Sequence, residues 1–337
     1  MTKLTVLTSL MIVAIAASIG FCQALGDDDM NMLPSKDKIV FATFVESAEQ
    51  IDHIRYLAES IRKFGGQVKD APIWLYVGDY AAIDIDEIKQ TFEPLGVEIY
   101  TSGAPEGALW FYYAGKTFAA GVAEKMAEGL AEILVWLDDD TIFLQEPSDF
   151  LLAPEISFAY RPVMHNRSGT LYGKKPTPFW GRIYDKLVIK SESLFEMTTP
   201  ADNQKINAYF NAGLIAVRPE KGILRKWGED FTVLYQDKVL ADMCKADLNM
   251  RIFLHQTALV GAVLNTLGRD DMIELGDDYN YPLFFQQMFG ADREFGSIDN
   301  VTSLRYDIYF RDPDPQWDQK IKGPKEKVDW IKARLGK

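Results

Sequence analysis

The stretch Ile133-Leu134-Val135-Trp136-Leu137-Asp138-Asp139-Asp140-Thr141-Ile142-Phe143-Leu144 constrains this chain more than any other. A run of apolar residues meets three acids, and apolar sequence resumes at once. A short, wholly apolar run reads as a strand buried on both faces of a sheet. Alternating geometry at its end puts Asp138 and Asp140 on one side and Asp139 on the other. Two carboxylates side by side at the rim of a buried strand can hold a hard divalent cation, and the cation can neutralise a diphosphate. The plainer reading is a solvated strand end whose acids face water. Apolar sequence on both sides of the acids favours the cation.

The rest of the first half alternates two periods. Ile39 to Val45 is apolar throughout and reads as a central strand. Ser47 and Gln50 form a capping-box pair, Ile51, Ile54, Ala58 and Ile61 mark one helix face, and Gly65-Gly66 ends the helix. Ile73 to Val77 is a second strand. Asp84 and Glu87 open a helix with Ile85, Ile88, Phe92 and Leu95 inward, and Val97 to Tyr100 is a third strand. Gly107 to Gly129 predicts a helix whose inner face is Phe111, Ala114, Phe118, Val122 and Met126. Strand and helix in alternation dictate an α/β fold with a mostly parallel sheet. Ligands of such sheets bind beyond the carboxyl ends of the strands, where Thr43, Asp79 and the three acids fall.

The second half is less regular. Strands are expected at Ile156–Tyr160 and Tyr209–Val217. Between them, residues 161–200 are rich in basic, aromatic and Gly/Pro residues, as in a lid, an acceptor loop or plain surface irregularity. Leu224, Trp227, Phe231 and Leu234 line a helix, and a longer helical stretch carries His255-Gln256 through Leu264. Val328, Ile331 and Leu335 suggest a last amphipathic helix within a charged tail.

Four landmarks stand in order along this framework: Ala42-Thr43-Phe44 closing the first strand, Asp138-x-Asp140, Asn211-Ala212-Gly213 opening a later strand, and Gln256 on a helix ahead of Tyr279-Asn280. Together they resemble the nucleotide-diphospho-sugar transferases of the GT-A fold, nearest to glycosyltransferase family 8, the glycogenin and galactosyltransferase-like group. The resemblance runs over roughly residues 38 to 285. It implies a Rossmann-like three-layer sandwich with an irregular C-terminal half. It also implies a metal-dependent hexosyltransferase that uses Mn2+ or Mg2+. Such an enzyme would move a sugar from a nucleotide-diphosphate donor, with UDP as carrier, to a carbohydrate or protein acceptor. By the same resemblance Ala42 and Thr43 would lie near the nucleotide, Lys116 near a phosphate or the donor sugar, and Asp138 and Asp139 on the donor. Asp138 and Asp140 would be metal ligands, Asn211, Ala212 and Gly213 would line the donor sugar, and Gln256 would sit beside the anomeric centre, with Gln256 and Asn211 the catalytic candidates. A cation and a lysine there would stabilise charge building on the departing diphosphate.

The chain also departs from the family pattern. His255 stands where the family has an Asp before the Gln, and no histidine follows it to serve as a C-terminal metal ligand. Asp307 and Asp312 are candidates to complete the shell. These departures keep open a non-catalytic, exported GT-A-like protein that binds carbohydrate or nucleotide. An Asp-nucleophile phosphohydrolase is disfavoured, because Thr141 follows Asp140 directly and the strand is fourth rather than first.

Charge and the N-terminus bound the partners. The formal charge of −13 excludes a broadly basic nucleic-acid surface, and any anionic ligand needs a local basic group or a metal. Lys3 precedes an uncharged stretch from Leu4 to Leu25, so residues 1–25 read as a secretory signal peptide or an uncleaved anchor. Residues 26–37 form a polar leader, 38–319 the folded domain and 320–337 a charged C-terminal helix. The expected location is the secretory pathway or outside the cell: Golgi or endoplasmic reticulum lumen in a eukaryote, periplasm or exterior in a bacterium. Membrane contact would come only through an uncleaved N-terminal segment. Cleavage after Ala24 would leave Cys244 alone, so no disulfide framework is expected.

Overall fold

The computed structural model describes residues 37–283, 296–306 and 317–336. The N-terminal stretch and leader, and Asp307 and Asp312, lie outside the described residues. The first half alternates as its two periods require. Strands β1 (Asp37–Val45), β2 (Ile73–Gly78), β3 (Val97–Ser102) and β4 (Ala131–Leu137) are linked by helices α1 (Ile51–Phe64), α2 (Ile85–Phe92) and α3 (Ala114–Ala127). There follow β5 (Thr141–Phe143), β6 (Phe158–Pro162), α4 (Pro178–Leu187), β7 (Glu196–Thr198), β8 (Lys205–Asn207) and β9 (Phe210–Val217). The chain continues through α5 (Ile223–Tyr235), α6 (Lys238–Ala246), α7 (Leu248–Leu264), β10 (Met272–Glu274), β11 (Tyr281–Pro282), β12 (Ser303–Arg305) and α8 (Lys325–Leu335).

The central sheet has the order β10-β6-β9-β4-β1-β2-β3. Its pairs are parallel except where β9 runs antiparallel to β4 and β6. Alternation along β1 divides the core in two. Val40, Ala42 and Phe44 face α3 and α5, with Ala119, Ala123, Trp227 and Phe231. Ile39, Phe41 and Val45 face α1 and α2, with Ile54, Leu57, Ile88 and Phe92. The result is the three-layer α/β sandwich expected from the sequence. Local signals set the ends of its helices: the Asp84 carboxylate accepts from the Asp86 and Glu87 amides at the start of α2, and α1 gives out at Gly65.

Several expectations need correction. The helix read from Gly107 begins only at Ala114, and its buried face is Ala119, Ala120, Ala123 and Ala127, while Val122 is 47% exposed. α3 is pressed between the sheet and α5, and only small side chains permit that approach. A Cβ on Gly121 would already stand 3.3 Å from Arg225 Cα. Phe118 and Met126 are therefore pushed to the edge of the core. The irregular segment 161–200 contains a capped helix, α4, whose N-cap Thr177 hydroxyl accepts from the Trp180 amide and whose first residue is Pro178. The third correction concerns the acids. The chain turns after Leu137, with the Thr141 amide donating to the Asp138 carbonyl at 3.3 Å. β5 then leaves the central sheet for a smaller one of order β11-β12-β5. Strand alternation therefore does not govern Asp138 to Asp140.

The last helix starts at Lys325 rather than 320. Cys244 is free and buried. No helix among the described residues is long and apolar enough to cross a membrane.

Candidate active site

The carboxyl ends of β1 and β4, the loop after β6, the start of β9 and the first half of α7 surround a cleft of about 330 Å³. That volume is at the lower end of small-molecule sites. Lys116, Asp138, Asp139, Asp140, Asn211 and Gln256, drawn from four separate stretches of sequence, all line it. Ala42, Thr43, Ala212 and Gly213 do not. Ala42 and Thr43 are each 1% exposed inside β1, and the lining passes to Phe44 and Glu46 at the strand's end. Asp79, at the end of β2, also lies outside the lining.

Each acid of the turn has its own surroundings. The ammonium of Lys116, only 7% exposed on α3, pairs with the Asp138 carboxylate. The Asp138 amide donates to the Gly213 carbonyl at 2.8 Å, and a Cβ on Gly213 would collide with the Asp138 carboxylate. Gly213 thus lets β9 pass close beside Asp138. Asp139 turns to α1, where Gln50 Nε2 donates to its Oδ2 at 3.1 Å and His53 Nδ1 lies 3.4 Å away. Gln50 Oε1 meanwhile accepts from the Glu46 and Ser47 amides, so one side chain ties the start of α1 to the acidic turn. Asp140 lies next to Tyr306, whose amide donates to the Asp140 carbonyl at 3.1 Å. Burial, then the charges of Asp140 and Asp139, hold the Tyr306 phenol well above its usual range.

Across the cleft, two amides are oriented by the backbone. Asn211 Oδ1 accepts from the Gly213 amide at 2.8 Å, and Gln256 Oε1 accepts from the Ala212 amide at 3.2 Å. With their oxygens so engaged, both side chains present NH2 donors, of which that of Gln256 also meets the buried Tyr209 hydroxyl. His255, next to Gln256, is 3% exposed and packs 4.7 Å from the Tyr113 ring, centroid to centroid. Burial, and then the nearby Lys116 charge, hold its pKa well below the usual histidine value. Its Nδ1 lies 2.9 Å from the Ile252 carbonyl, an acceptor, so Nδ1 carries the proton of the neutral ring. His255 thus fills, as a neutral packing group, the place where a carboxylate was expected.

Several lining residues were not foreseen. His165 and Arg167 come from the loop after β6, and Arg305 arrives on β12, where register sets it opposite Thr141. Burial and the charges of Arg167 and Arg305 lower the His165 pKa, with Asp202 opposing them. No local signal marks Arg305 or Tyr306; only the β12–β5 pairing brings them to the acids.

The donor set can be weighed against a divalent cation. Asp138 and Asp140 offer hard oxygen ligands to one cleft. No group of three metal-ligating side chains occurs among the described residues. Small hard cations such as Mg2+ are commonly held by one or two carboxylates, water and substrate phosphates, so the chemistry of the two acids suits such an ion, with Asp138 also paired to the Lys116 ammonium.

Residues 44–267, more than half of the chain, match the family model of the Rhodobacterales glycosyltransferase domain. The chain belongs to this glycosyltransferase family. No curated protein matches the chain in sequence. Among solved structures, the glycosyltransferase GlyE of Streptococcus pneumoniae TIGR4 is similar at a TM-score of 0.43 and 16% identity, over 89% of this chain and 61% of that one. The chain thus spans about three fifths of the GlyE chain. Mouse xyloside xylosyltransferase 1 is similar at a TM-score of 0.45 and 10% identity, over 82% and 99% of the two chains. The galactosyltransferase LgtC, solved with donor and acceptor sugar analogues, is similar at a TM-score of 0.47 and 14% identity, over 87% and 95%.

Proposed function

We propose that this glycosyltransferase takes a sugar from a nucleotide-diphosphate donor, with UDP as carrier, and passes it to an acceptor hydroxyl in the cleft described above. The observation that supports this most is the meeting of the Lys116–Asp138 pair and Asp140 with the oriented amides of Asn211 and Gln256. Cleavage of the donor leaves charge on the diphosphate, and a largely buried ammonium stabilises that charge strongly because little water screens it. Asn211 and Gln256 do not titrate, so their part is to hold the sugar by donating hydrogen bonds to its oxygens. Asp139, engaged by Gln50 and His53, keeps the turn in place. A divalent cation such as Mn2+ or Mg2+ would be held by Asp138 and Asp140, and would supply further positive charge to the diphosphate. The uncharged N-terminal stretch reads as an export signal, so the reaction would take place outside the cytoplasm.

Thermal unfolding of the full chain, with and without UDP and Mn2+, tests the reading. Ligand at a hundred times its Kd stabilises the native state by about 2.7 kcal/mol. The midpoint should rise with nucleotide and rise further with metal, and Asp140→Ala should remove the metal-dependent part. An unchanged midpoint with every nucleotide, with or without metal, would rule out a nucleotide-sugar site.

A further inference from the structure

The cleft does not end at the donor residues. Just before α3, the chain places Phe111 in the core and leaves Trp110 and Tyr112 on the surface, 38% and 44% exposed. Tyr112 lines the cleft, together with Asn249, Ile252 and Phe253 of α7. Exposure of Trp110 is unusual for this chain. It has seven tryptophans, and the other six are 9% exposed or less.

The two exposed rings are held in place. The Arg251 guanidinium lies 4.1 Å from the Trp110 ring centroid and 5.0 Å from that of Tyr112, and its Nε donates to the Trp110 carbonyl at 2.8 Å. The next residue, Tyr113, sits at φ +62°, a left-handed conformation that costs a non-glycine residue free energy. Strained non-glycine residues of this kind cluster at ligand sites. The arrangement therefore combines two aromatic rings kept out of the core, a cation that holds them together, and a strained residue at the helix start; Tyr112 and Tyr113 line the cleft, and Arg251 ties Trp110 to Tyr112 beside it.

We propose that Trp110 and Tyr112, fixed by Arg251, form the acceptor subsite, and that the acceptor is a glycan that lays the C–H face of a pyranose on these rings. The inference rests on the sugar-transfer reading of the cleft. A pyranose has an apolar C–H face and a rim of hydroxyls. Aromatic rings give the first a large, rigid apolar contact, and the amide of Asn249 offers the second both donor and acceptor. The acceptor hydroxyl would then point past Tyr112 and Tyr113 toward Lys116 and Asp138.

Because Trp110 is the single exposed tryptophan, its fluorescence reports on this site. Acrylamide quenching of the full chain is measured against rising maltose, lactose, cellobiose and xylobiose, without donor. At least one of these sugars should protect Trp110 from acrylamide, and Tyr112→Ala should weaken that protection roughly ten-fold in sugar concentration. In a donor-turnover assay with the protecting sugar, Trp110→Ala should raise the acceptor KM by a similar factor and leave the donor KM unchanged. Failure of all four sugars to protect Trp110, or protection that is the same in Tyr112→Ala, overturns the acceptor subsite. Stabilisation by UDP is measured in parallel. If UDP stabilises the chain while no sugar protects Trp110, the subsite alone is wrong; if UDP also has no effect, the donor reading fails with it.

Discussion

At the scale of single residues, the proposed reaction would draw most on the acidic turn and Lys116. Lys116 is almost wholly buried and its partner Asp138 is about a quarter exposed. Lys116→Met keeps most of the side-chain volume and removes the charge. Loss of one donor aimed at a developing anion costs roughly two to three orders of magnitude in rate, so kcat/KM should fall by about that factor, measured by nucleotide release. Binding of an uncharged nucleoside should hardly change. His255 makes a different prediction. Its folded pKa is depressed by burial, whereas the unfolded chain titrates near 6.5. Its contribution to stability is therefore complete above about pH 6.5 and is lost as pH falls toward the folded pKa, because only the unfolded state takes up the proton. Urea midpoints of the wild type should fall between about pH 7.5 and pH 5 more steeply than those of His255→Phe. Equal slopes would show that this ring is not kept neutral by burial. That Asp138, Asp140, Asn211 and Gln256 would meet in one cleft was legible in the sequence, because each stands in a short motif next to an apolar element. The meeting of Arg305, Tyr306 and Gln50 with the acidic turn was not, although Gln50 was legible as a capping residue. Their place at the turn depends on a strand pairing and a helix start more than 80 residues away in sequence.

At the scale of elements, periodicity predicted where helices and strands occur better than which faces they bury. The face of α3 was misread because hydrophobicity marked Phe118, Val122 and Met126, while packing against α5 demanded alanine. The same contact contains a cap that no local signal reveals. α5 begins after Gly222, which has no side chain to cap it, and Glu124 of α3 takes over. Its Oε1 accepts from the Leu224 amide at 3.0 Å and its Oε2 from the Arg225 amide at 2.9 Å. A carboxylate at a helix N-terminus satisfies otherwise unpaired amides and meets the positive end of the helix dipole. Glu124→Ala should cost about 2 kcal/mol, read from urea unfolding. Burial meanwhile pushes Glu124 up to about 7, against the pull of the two amides and Arg225. With the folded pKa above the unfolded one, the stability linked to this proton is complete below the unfolded pKa and is lost as pH rises through about 7. Glu124→Gln should flatten that part of the profile, and an unchanged profile would mean that Glu124 is already ionised in the folded chain at neutral pH.

At the scale of the whole molecule, the site depends on a part of the chain that carries none of its motifs. α8 buries Trp330 and Ile331 in a third cluster with Tyr56 of α1, Ile142 and Leu144 beside the acidic turn, and Leu304 of β12. Trp330 meets Phe64 of α1 edge-on at 5.6 Å, Arg334 Nε donates to Glu59 at 2.7 Å, and Lys327 pairs with Asp299 just ahead of β12. The helix thus holds α1 and the β12 segment together, and those two elements support Asp139 and Asp140 from either side. The sequence showed the amphipathic pattern of α8 but not what it clasps, because an apolar stripe does not name its partner. Removal of residues 325–337 should expose the seats of Trp330 and Ile331 and cost about 3–5 kcal/mol, seen as a lower urea midpoint. The loss should not stop at stability. With β12 loosened, Asp140 loses the Tyr306 amide and the cleft loses the support for Arg305, so the metal-dependent thermal shift with UDP should shrink even at temperatures where the truncated chain is folded. Trp330→Ala should give a milder version of both effects. A truncated chain that is less stable but keeps the full metal-dependent shift would show that α8 only adds stability and that the acidic turn holds its shape without it.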